Sequence, residues 1–426
     1  MNTLRLRAGL NPGFASPPLA PGLGEVVTEE AVVLPPPGAK LHITPLVQEG
    51  ERVRAGAPVA CLRHAPAVCL VAPMQGQVAR IDLMPGRILN EIVLFRDSET
   101  EGGTEVEQHD VSAAGSLPAL RRLLQGAGVW PWIGRRPFGG MPGVDEVPAS
   151  ILVMGSDTRP FAPDPQLVLE GRHEAFARGL DALTRLTDGT VFVTWPHGLP
   201  TPRIARGGDR ISWLLTGPRH PQASPGICLH RAAPAALDAP VWDLHAEDVA
   251  HIGDFMKTGR LSMTRHVHIA GSALAEARMV RTTTGADLRQ LVQGLVTPGP
   301  HKTMAGGPLD GRSARWLGPR DRQVTVTPRT DPRPEPHWLI RALTSSAFPR
   351  PVIPTAALTQ AFASALPAVP FLRALGAGDE EAAMRLGLLS LLEEDIALAD
   401  YVLGTGGDLQ RQLRALLDRI ETENAP

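Results

Sequence analysis

Glycine-centred turns divide residues 47–81 into strands too short to form a stable sheet by themselves. The turns fall at Glu49-Gly50, Ala55-Gly56 and Gln75-Gly76, between brief apolar runs. Turns of this kind favour glycine because they need a positive φ, which a β-carbon disfavours. Since such short strands cannot bury a hydrophobic face alone, they must pair and fold back on one another. The segment therefore predicts a small β-sandwich.

The order of residues in this segment resembles a biotinyl/lipoyl hammerhead, with E-G-x-x-V-x-x-G-x-P-V followed by A-P-x-x-G-x-V. A carrier domain of that type needs a lysine at the hairpin tip between the two halves, and Arg63-His64-Ala65-Pro66 stands there instead. The only lysines of the chain are Lys40, Lys257 and Lys302. No swinging arm can be attached, so we interpret the module as a scaffold.

Composition excludes several classes of function. The formal net charge of −2 gives no overall field that would attract nucleic acid. No apolar run approaches the roughly 18 residues of a spanning helix, and no signal peptide is visible, so we expect no direct membrane insertion. The cysteines Cys61, Cys69 and Cys228 lack a C-x-x-C spacing. We therefore expect reduced thiols and no iron–sulfur cluster.

The chain is long enough for several domains, and its patterns predict a multidomain α/β protein with four parts. Residues 1–110 form a barrel-sandwich domain, whose proline-rich residues 11–38 are expected to be an irregular lead-in because proline lacks a backbone donor. Residues 111–260 form a Rossmann-like α/β domain, residues 261–330 a β-grasp domain, and residues 331–426 a helical domain.

Local patterns support the last three domains. Ile151–Met154 and Thr190–Thr194 are apolar runs on either side of a helical pattern, which predicts a pair of parallel strands. A strand pair, a short helix and a return strand in about 60 residues indicate the β-grasp domain. Near the C-terminus, five apolar residues form one helical stripe that faces a core or a partner helix, namely Leu409, Leu413, Leu416, Leu417 and Ile420.

The most conspicuous candidate site is the segment 129–142, VWPWIGRRPFGGMP. It holds Trp130, Trp132 and Phe138 beside Arg135 and Arg136, in a chain that is only 4% aromatic. Its prolines and glycines forbid a long helix or strand, so these side chains must lie on a loop. Aromatic rings next to an arginine pair can stack a flat ligand or anchor a partner protein. Buried packing under a long loop explains them equally well.

Weaker candidates come from loops of the α/β domain. Asp157 and Arg159 follow the first strand at its carboxyl end, where open α/β sheets bind ligands. His220 lies in the turn Gly217–Pro221. The loop at residues 155–159 is not G-x-G-x-x-G, and the chain has no Walker motif. A nucleotide site is therefore weakly supported, and we assign no catalytic residue and no cofactor-binding residue.

Two histidine-containing pairs have the i,i+2 spacing of possible metal ligands on predicted strands: Cys228 with His230, and His266 with His268. Without further ligands at a matching spacing, ordinary strand residues are the better interpretation. The acidic run Glu393–Asp395 could ligate a metal, but a solvated face or a favourable helix start explains it more simply. We therefore predict no metal site.

Taken together, the motifs of the chain resemble the NqrA family of the Na⁺-translocating NADH:quinone oxidoreductase (Nqr). The similarity starts at Leu6–Gly9 and is strongest in DTRPFAPDPQLVLEGRHEAFARGLDALTRLTDGTVFV at 157–193. It covers nearly the whole length in collinear order, and it implies that the β-grasp domain at 262–312 is of the soluble-ligand-binding type. Further matching segments are the hammerhead and residues 135–151, 217–221, 252–261, 278–294 and 372–402.

The resemblance implies a peripheral subunit on the cytoplasmic face of the bacterial inner membrane, docked on other subunits of a membrane oxidoreductase. Flavins, iron–sulfur centres and NADH would then belong to partner subunits, and ubiquinone is the substrate that this chain could help to bind. Family members usually carry a cysteine motif where Leu403–Gly407 stands here. The alternative is a non-catalytic binding or assembly module of the same origin that serves another membrane electron-transfer complex.

Overall fold

The computed structural model describes residues 8–97, 105–202, 208–329 and 352–424, which form a multidomain chain of mixed α/β structure. Its strands belong to four sheets of six, five, four and three strands. Within these ranges no helix has the length and apolar character needed to cross a bilayer.

Eight short strands begin the chain. They are β1 (Leu19–Glu25), β2 (Glu30–Val33), β3 (Ile43–Pro45), β4 (Arg52–Val53), β5 (Pro58–Leu62), β6 (Ala65–Val71), β7 (Gly76–Met84) and β8 (Ile88–Arg96). One sheet has the order β2-β8-β7-β4 and another the order β3-β5-β6. Both contribute to one core, which contains Ile43, Val59, Leu70 and Ile92. This confirms the sandwich predicted from the turns of residues 47–81.

Two of the three cysteines are bonded to each other. Cys61 on β5 and Cys69 on β6 lie directly opposite, with their Cα atoms 4.1 Å apart, and they form a disulfide. The expectation of reduced thiols was wrong for this pair, because sequence spacing does not show which residues a hairpin brings face to face. Cys228 is a buried free thiol. Burial raises its pKa to about 12.

The second group of elements builds a five-stranded sheet. Its members are α1 (Leu117–Gly126), β9 (Gly134–Arg136), β10 (Ser150–Met154), α2 (Pro165–Leu169), α3 (His173–Thr184), β11 (Val191–Pro196), β12 (Ile211–Thr216), α4 (Pro225–Ala232), β13 (Val241–His245) and α5 (Ala246–Thr258). The order is β12-β11-β10-β13-β9. The first four strands are parallel, as predicted for Ile151–Met154 and Thr190–Thr194, and β9 runs antiparallel to β13.

Helix α4 replaces the strand that was predicted to carry Cys228 and His230. Pro225 occupies its first turn, where a missing N–H has no cost, and the N–H of Cys228 donates to the carbonyl of Ser224. The side chains of Cys228 and His230 therefore do not share a strand face, and the idea of a ligand pair is wrong here.

The third group of elements forms a six-stranded sheet. Its members are β14 (Thr264–Ala270), β15 (Ala277–Thr283), α6 (Leu288–Leu291), β16 (His301–Ala305), β17 (Arg312–Ser313) and β18 (Gln323–Pro328). The strand order is β1-β15-β14-β18-β16-β17. Its core includes Val267, Val280, Leu288 and Val324.

The proline-rich lead-in is more regular than predicted. Strand β1 pairs in parallel with β15 at the edge of the six-stranded sheet, and β2 pairs with β8. An edge strand tolerates Pro21 because one side of its backbone needs no partner. The expectation of an irregular lead-in over residues 11–38 was therefore wrong for these two strands.

Helices end the chain, namely α7 (Ala356–Ala361), α8 (Ala368–Ala377), α9 (Glu380–Arg385), α10 (Glu393–Leu403) and α11 (Asp408–Glu423). The stripe predicted on α11 is buried, so it faces a core. The part of the predicted helical domain at residues 331–351 lies outside the described residues. Short 3₁₀ turns complete the secondary structure at Val111–Ala113, Trp130–Trp132, Gly208–Arg210 and Leu388–Ser390.

Both faces of the five-stranded sheet are covered. Helices α3 and α5 pack on one face. Their close approach requires glycine at position 253, because a β-carbon there would lie 1.7 Å from the carbonyl oxygen of Ala175. Helix α4 and the C-terminal helices form a continuous apolar core on the other face, with Leu152 of β10 among its members. The carboxyl ends of β10 and β13 open between the second, third and C-terminal groups of elements.

Candidate functional site

A cavity of about 390 Å³ lies at the carboxyl end of the parallel strands. The last residues of β10 and β13, Met154 and His245, line it. Its other walls come from the loop after β9, from the third group of elements and from α10 and α11. Open α/β sheets bind ligands at this edge, which makes the cavity the candidate site. We call it the polar cleft, after the lining residues Arg159, His245, Arg320, Glu394 and Arg414.

Of the three weaker candidates, Arg159 lines the polar cleft, and Asp157 and His220 lie near Arg159. Arg159 donates through Nη2 to Asp157 over 2.6 Å and lies 3.5 Å from Asp310 through Nη1. Burial would raise the pKa of Asp157, but the Arg159 guanidinium outweighs it and holds that pKa below its ordinary value. Burial lowers the pKa of His220 to about 4, so this imidazole is neutral at physiological pH.

The two tryptophans of segment 129–142 are buried. The indole N–H of Trp130 donates to the Pro142 carbonyl over 3.1 Å, and its ring meets the edge of Trp242. The Arg265 guanidinium lies 4.2 Å from the centre of the Trp132 ring. Both indoles therefore pack in the core, which is one of the two interpretations that the sequence left open.

Phe138 and Arg135 differ from the tryptophans because both are partly exposed. The Arg135 guanidinium lies 5.7 Å from the centre of the Phe138 ring and pairs with Glu146. The carbonyl of Phe138 accepts a hydrogen bond from Arg414, a residue of the polar cleft. Gly139 and Gly140, which follow, line the cleft. The end of the segment thus reaches the candidate site.

Arg136 is fully buried and surrounded by carboxylates. Its Nη1 pairs with Asp243 of β13, and its Nη2 lies 2.9 Å from Glu394 and 3.2 Å from Asp395 of α10. Its Nε donates to the Ser390 carbonyl over 3.0 Å. Arg320 pairs with the other oxygen of Asp243. These charges join the sheet to α10 and to the third group of elements, and they reach the polar cleft through Glu394 and Arg320.

A second buried ionic network lies at the start of α5. Arg322 of the third group of elements contacts Glu247 over 2.9 Å and Asp248 over 2.8 Å. Arg265 contacts Asp248 over 3.0 Å, and the His266 ring contacts Glu247 over 2.7 Å. Sequence reasoning missed this network because its acids and its arginines come from distant parts of the chain and carry no local signal.

His268 and His245 are each held by a backbone group. His268, the other member of the predicted strand pair, contacts the Phe161 carbonyl through Nδ1. His245 accepts the Glu247 backbone N–H at Nδ1, and burial lowers its pKa to about 4. In the part of the chain that the structure describes, no three His, Cys, Asp or Glu side chains are placed to hold a metal ion.

Comparison with known proteins gives three matches to family models. The NqrA N-terminal barrel-sandwich hybrid domain matches residues 21–97, the NqrA second alpha/beta domain matches residues 116–261, and the NQRA C-terminal domain, of the SLBB type, matches residues 266–315. The NqrA protein of the Na(+)-translocating NADH-quinone reductase of Teredinibacter turnerae is 32% identical over 412 residues, which cover 89% of this chain and 91% of the relative. This chain belongs to the NqrA family.

Other relatives agree. The NqrA protein of Pasteurella multocida is 30% identical, and the match covers 99% of this chain and 100% of the relative. Among solved structures, an NAD⁺-reducing [NiFe]-hydrogenase in the H₂-reduced state has a TM-score of 0.40 at 12% identity, over 71% of this chain and 63% of that one. That similarity is too low to carry an argument, and the NqrA assignment rests on the sequence relatives.

The carboxylates around Arg136 have different environments in this NqrA-family chain. Burial would raise the pKa of Asp243, but Arg320 and Arg136 outweigh it and hold that pKa below its ordinary value. Burial and the adjacent Asp395 carboxylate raise the pKa of Glu394 to about 7. Glu394 is therefore a cleft-lining group that can exchange a proton near neutral pH.

The position of Arg136 predicts a large loss of stability when its charge is removed. We expect Arg136→Met to lower the free energy of unfolding by about 3–5 kcal/mol, because the buried carboxylates lose their central cation. Arg135→Met is the matched control, since Arg135 is partly exposed and should cost less than about 1 kcal/mol. Urea unfolding followed by tryptophan fluorescence measures both values, and equal losses would contradict the assigned role.

The raised pKa of Glu394 predicts a pH dependence of stability. Between about pH 4.5 and pH 7 the folded protein keeps a proton that the unfolded chain has released, so stability falls as the pH rises. We expect the Tm of the parent protein to fall relative to that of Glu394→Gln between about pH 4.5 and pH 7. Glu381→Gln, at an exposed position of α9, serves as the control. Parallel Tm curves for the parent and Glu394→Gln would refute the shift.

Proposed function

We propose that this chain works as the NqrA component of a Na⁺-translocating NADH:quinone oxidoreductase. In this role it docks on membrane-embedded partners at the cytoplasmic face of the bacterial inner membrane. The observation that carries the proposal is the collinear similarity to proteins named as that component, with 32% identity over 89% of this chain. The isolated chain has no catalytic residue of its own in this account, and the assembled complex is the enzyme.

Electron transfer takes place on the partner subunits under this proposal. Flavins, iron–sulfur centres and the NADH site belong to them, and this chain holds no cofactor. The sequence supports this division because no G-x-G-x-x-G loop follows a strand, and because Cys61 and Cys69 are bonded to each other while Cys228 is buried.

For the architecture, we propose the domain boundaries 1–110, 111–260, 261–330 and 331–426. A Rossmann-like second domain is supported by four parallel strands with helices on both faces of the sheet. A β-grasp third domain is supported by a mixed sheet whose core includes Leu288 and Leu291 of α6.

We further propose that a quinone head group contacts the end of segment 129–142 in the polar cleft. A quinone is flat and polar at its edge, so its site needs a stacking surface and a few donors. Phe138, whose carbonyl accepts a hydrogen bond from the cleft residue Arg414, would supply the aromatic ring, and Arg159 supplies a guanidinium on the cleft wall. Trp130, Trp132 and Arg136 would act indirectly, by holding the segment in place from within the core.

Affinity purification of the tagged full-length chain from membranes tests the proposed function. We expect the other subunits of the reductase to co-purify and the eluate to show NADH:quinone reductase activity. If membrane partners co-purify without that activity, the result would favour an assembly module of another complex over a component of the reductase. Recovery of the chain without membrane partners would overturn the proposal.

The quinone part has its own test in the purified complex. We expect Phe138→Ala to raise the quinone KM severalfold while the chain stays in the complex, because only the stacking surface is removed. Phe95→Ala is the matched control, since Phe95 is an exposed phenylalanine of the N-terminal domain. An unchanged quinone KM in Phe138→Ala would show that quinone does not bind at this site. Loss of the chain from the complex would show that the segment serves subunit docking.

A further inference from the structure

The hammerhead tip presents basic side chains in place of the missing carrier lysine. Two turns, at residues 63–64 and 84–87, meet the extended residues 40–42 at this end of the N-terminal domain. They expose Lys40, His42, Arg63, His64 and Arg87, which we call the basic tip. Three of these five side chains carry a fixed positive charge, although the chain as a whole has a net charge of −2.

Backbone hydrogen bonds fix the basic tip in one arrangement. The N–H of Arg63 donates to the His42 carbonyl over 2.8 Å, and the N–H of Ile43 donates to the Arg87 carbonyl over 3.0 Å. The His42 ring contacts the Gly86 carbonyl over 3.0 Å, and its centre lies 6.3 Å from that of His64. These contacts hold the two turns against the segment that carries His42, so the basic side chains lie at one end of the domain.

The fixed charges of the basic tip have no ion-pair partner among the described residues. Across the four described ranges, no carboxylate lies within ion-pair distance of Lys40, Arg63 or Arg87. The acid nearest to the 84–87 turn along its hairpin, Asp82, is already held by Asn90 over 2.6 Å. Unpaired charges on a preformed surface favour a partner of opposite charge, because little conformational entropy is lost on binding.

We propose that the basic tip docks on an acidic segment of a membrane-embedded partner subunit. This inference rests on the proposed function and gives the N-terminal domain a role within it. A protein partner fits better than a lipid surface. Recognition of anionic lipid uses roughly four to eight clustered basic residues or an inserted apolar face. The tip has three fixed charges and one exposed large apolar side chain, Met84.

The test measures binding of the purified full-length chain to washed membranes that contain the partner subunits but lack this chain. We expect the triple variant Lys40→Glu/Arg63→Glu/Arg87→Glu to bind at least tenfold more weakly than the parent, with a weaker dependence of affinity on salt. The matched control Arg122→Glu/Lys302→Glu/Arg373→Glu carries the same change of charge at exposed positions outside the tip. It should bind like the parent.

Each other outcome overturns the inference. Equal weakening in both triple variants would show that only net charge matters. Parent-like binding of the tip variant would show that the tip makes no contact. Tip-dependent binding to protein-free vesicles containing phosphatidylglycerol would assign the surface to lipid instead. If the parent itself fails to bind the membranes, the proposed function is wrong. This result differs from a failure of the inference alone, in which the parent binds but the tip variant binds equally well.

Folding of the variants is checked separately. The tip side chains are exposed, so the Tm of the triple variant should match that of the parent. A second variant, Lys40→Gln/Arg63→Gln/Arg87→Gln, removes the charges without reversing them. We expect it to weaken binding in the same direction by a smaller factor, and parent-like binding of this variant would also count against the proposal.

Discussion

Carboxylates from two distant parts of the chain surround the guanidinium group of Arg136 inside the protein. Removing a charge from water costs several kcal/mol, so the arrangement is stable only because Asp243 and Asp395 supply opposite charge and because Glu394 and the Ser390 carbonyl accept further hydrogen bonds. The contacts tie α10 to the five-stranded sheet. Arg320 extends the same charges to the third group of elements. The walls of the polar cleft depend on these ties.

The residues of segment 129–142 have two different roles. Its tryptophans and Arg136 lie in the core and fix the segment, whereas Phe138, Gly139 and Gly140 lie at or beside the cleft. A site built this way holds its lining residues on a rigid support. The side chains of the basic tip, in contrast, are exposed. Their unpaired charges suit docking on a partner and do not suit the burial of a ligand.

Features with a local signal could be predicted from the sequence. Glycine turns marked the short strands of the sandwich, two apolar runs marked the parallel pair, and the apolar stripe on α11 marked a buried helix face. The strand predicted for Cys228 and His230 is wrong because a short apolar run fits a strand as well as a buried helix. Ser224 and Pro225 provide the helix start that favours α4. The Cys61–Cys69 bond, the partners of Arg136 and the acids of α5 depend on contacts between distant residues, which periodicity does not show.

A double-mutant cycle between Arg136 and Asp395 tests the central claim most directly, because it isolates the interaction that joins the sheet to α10. The free energies of unfolding of Arg136→Met, Asp395→Asn and the double variant are compared with that of the parent protein. The structure predicts a coupling energy of about 2 kcal/mol or more between the two side chains. A coupling energy below about 0.5 kcal/mol would show that the two sites act independently, and it would contradict the account.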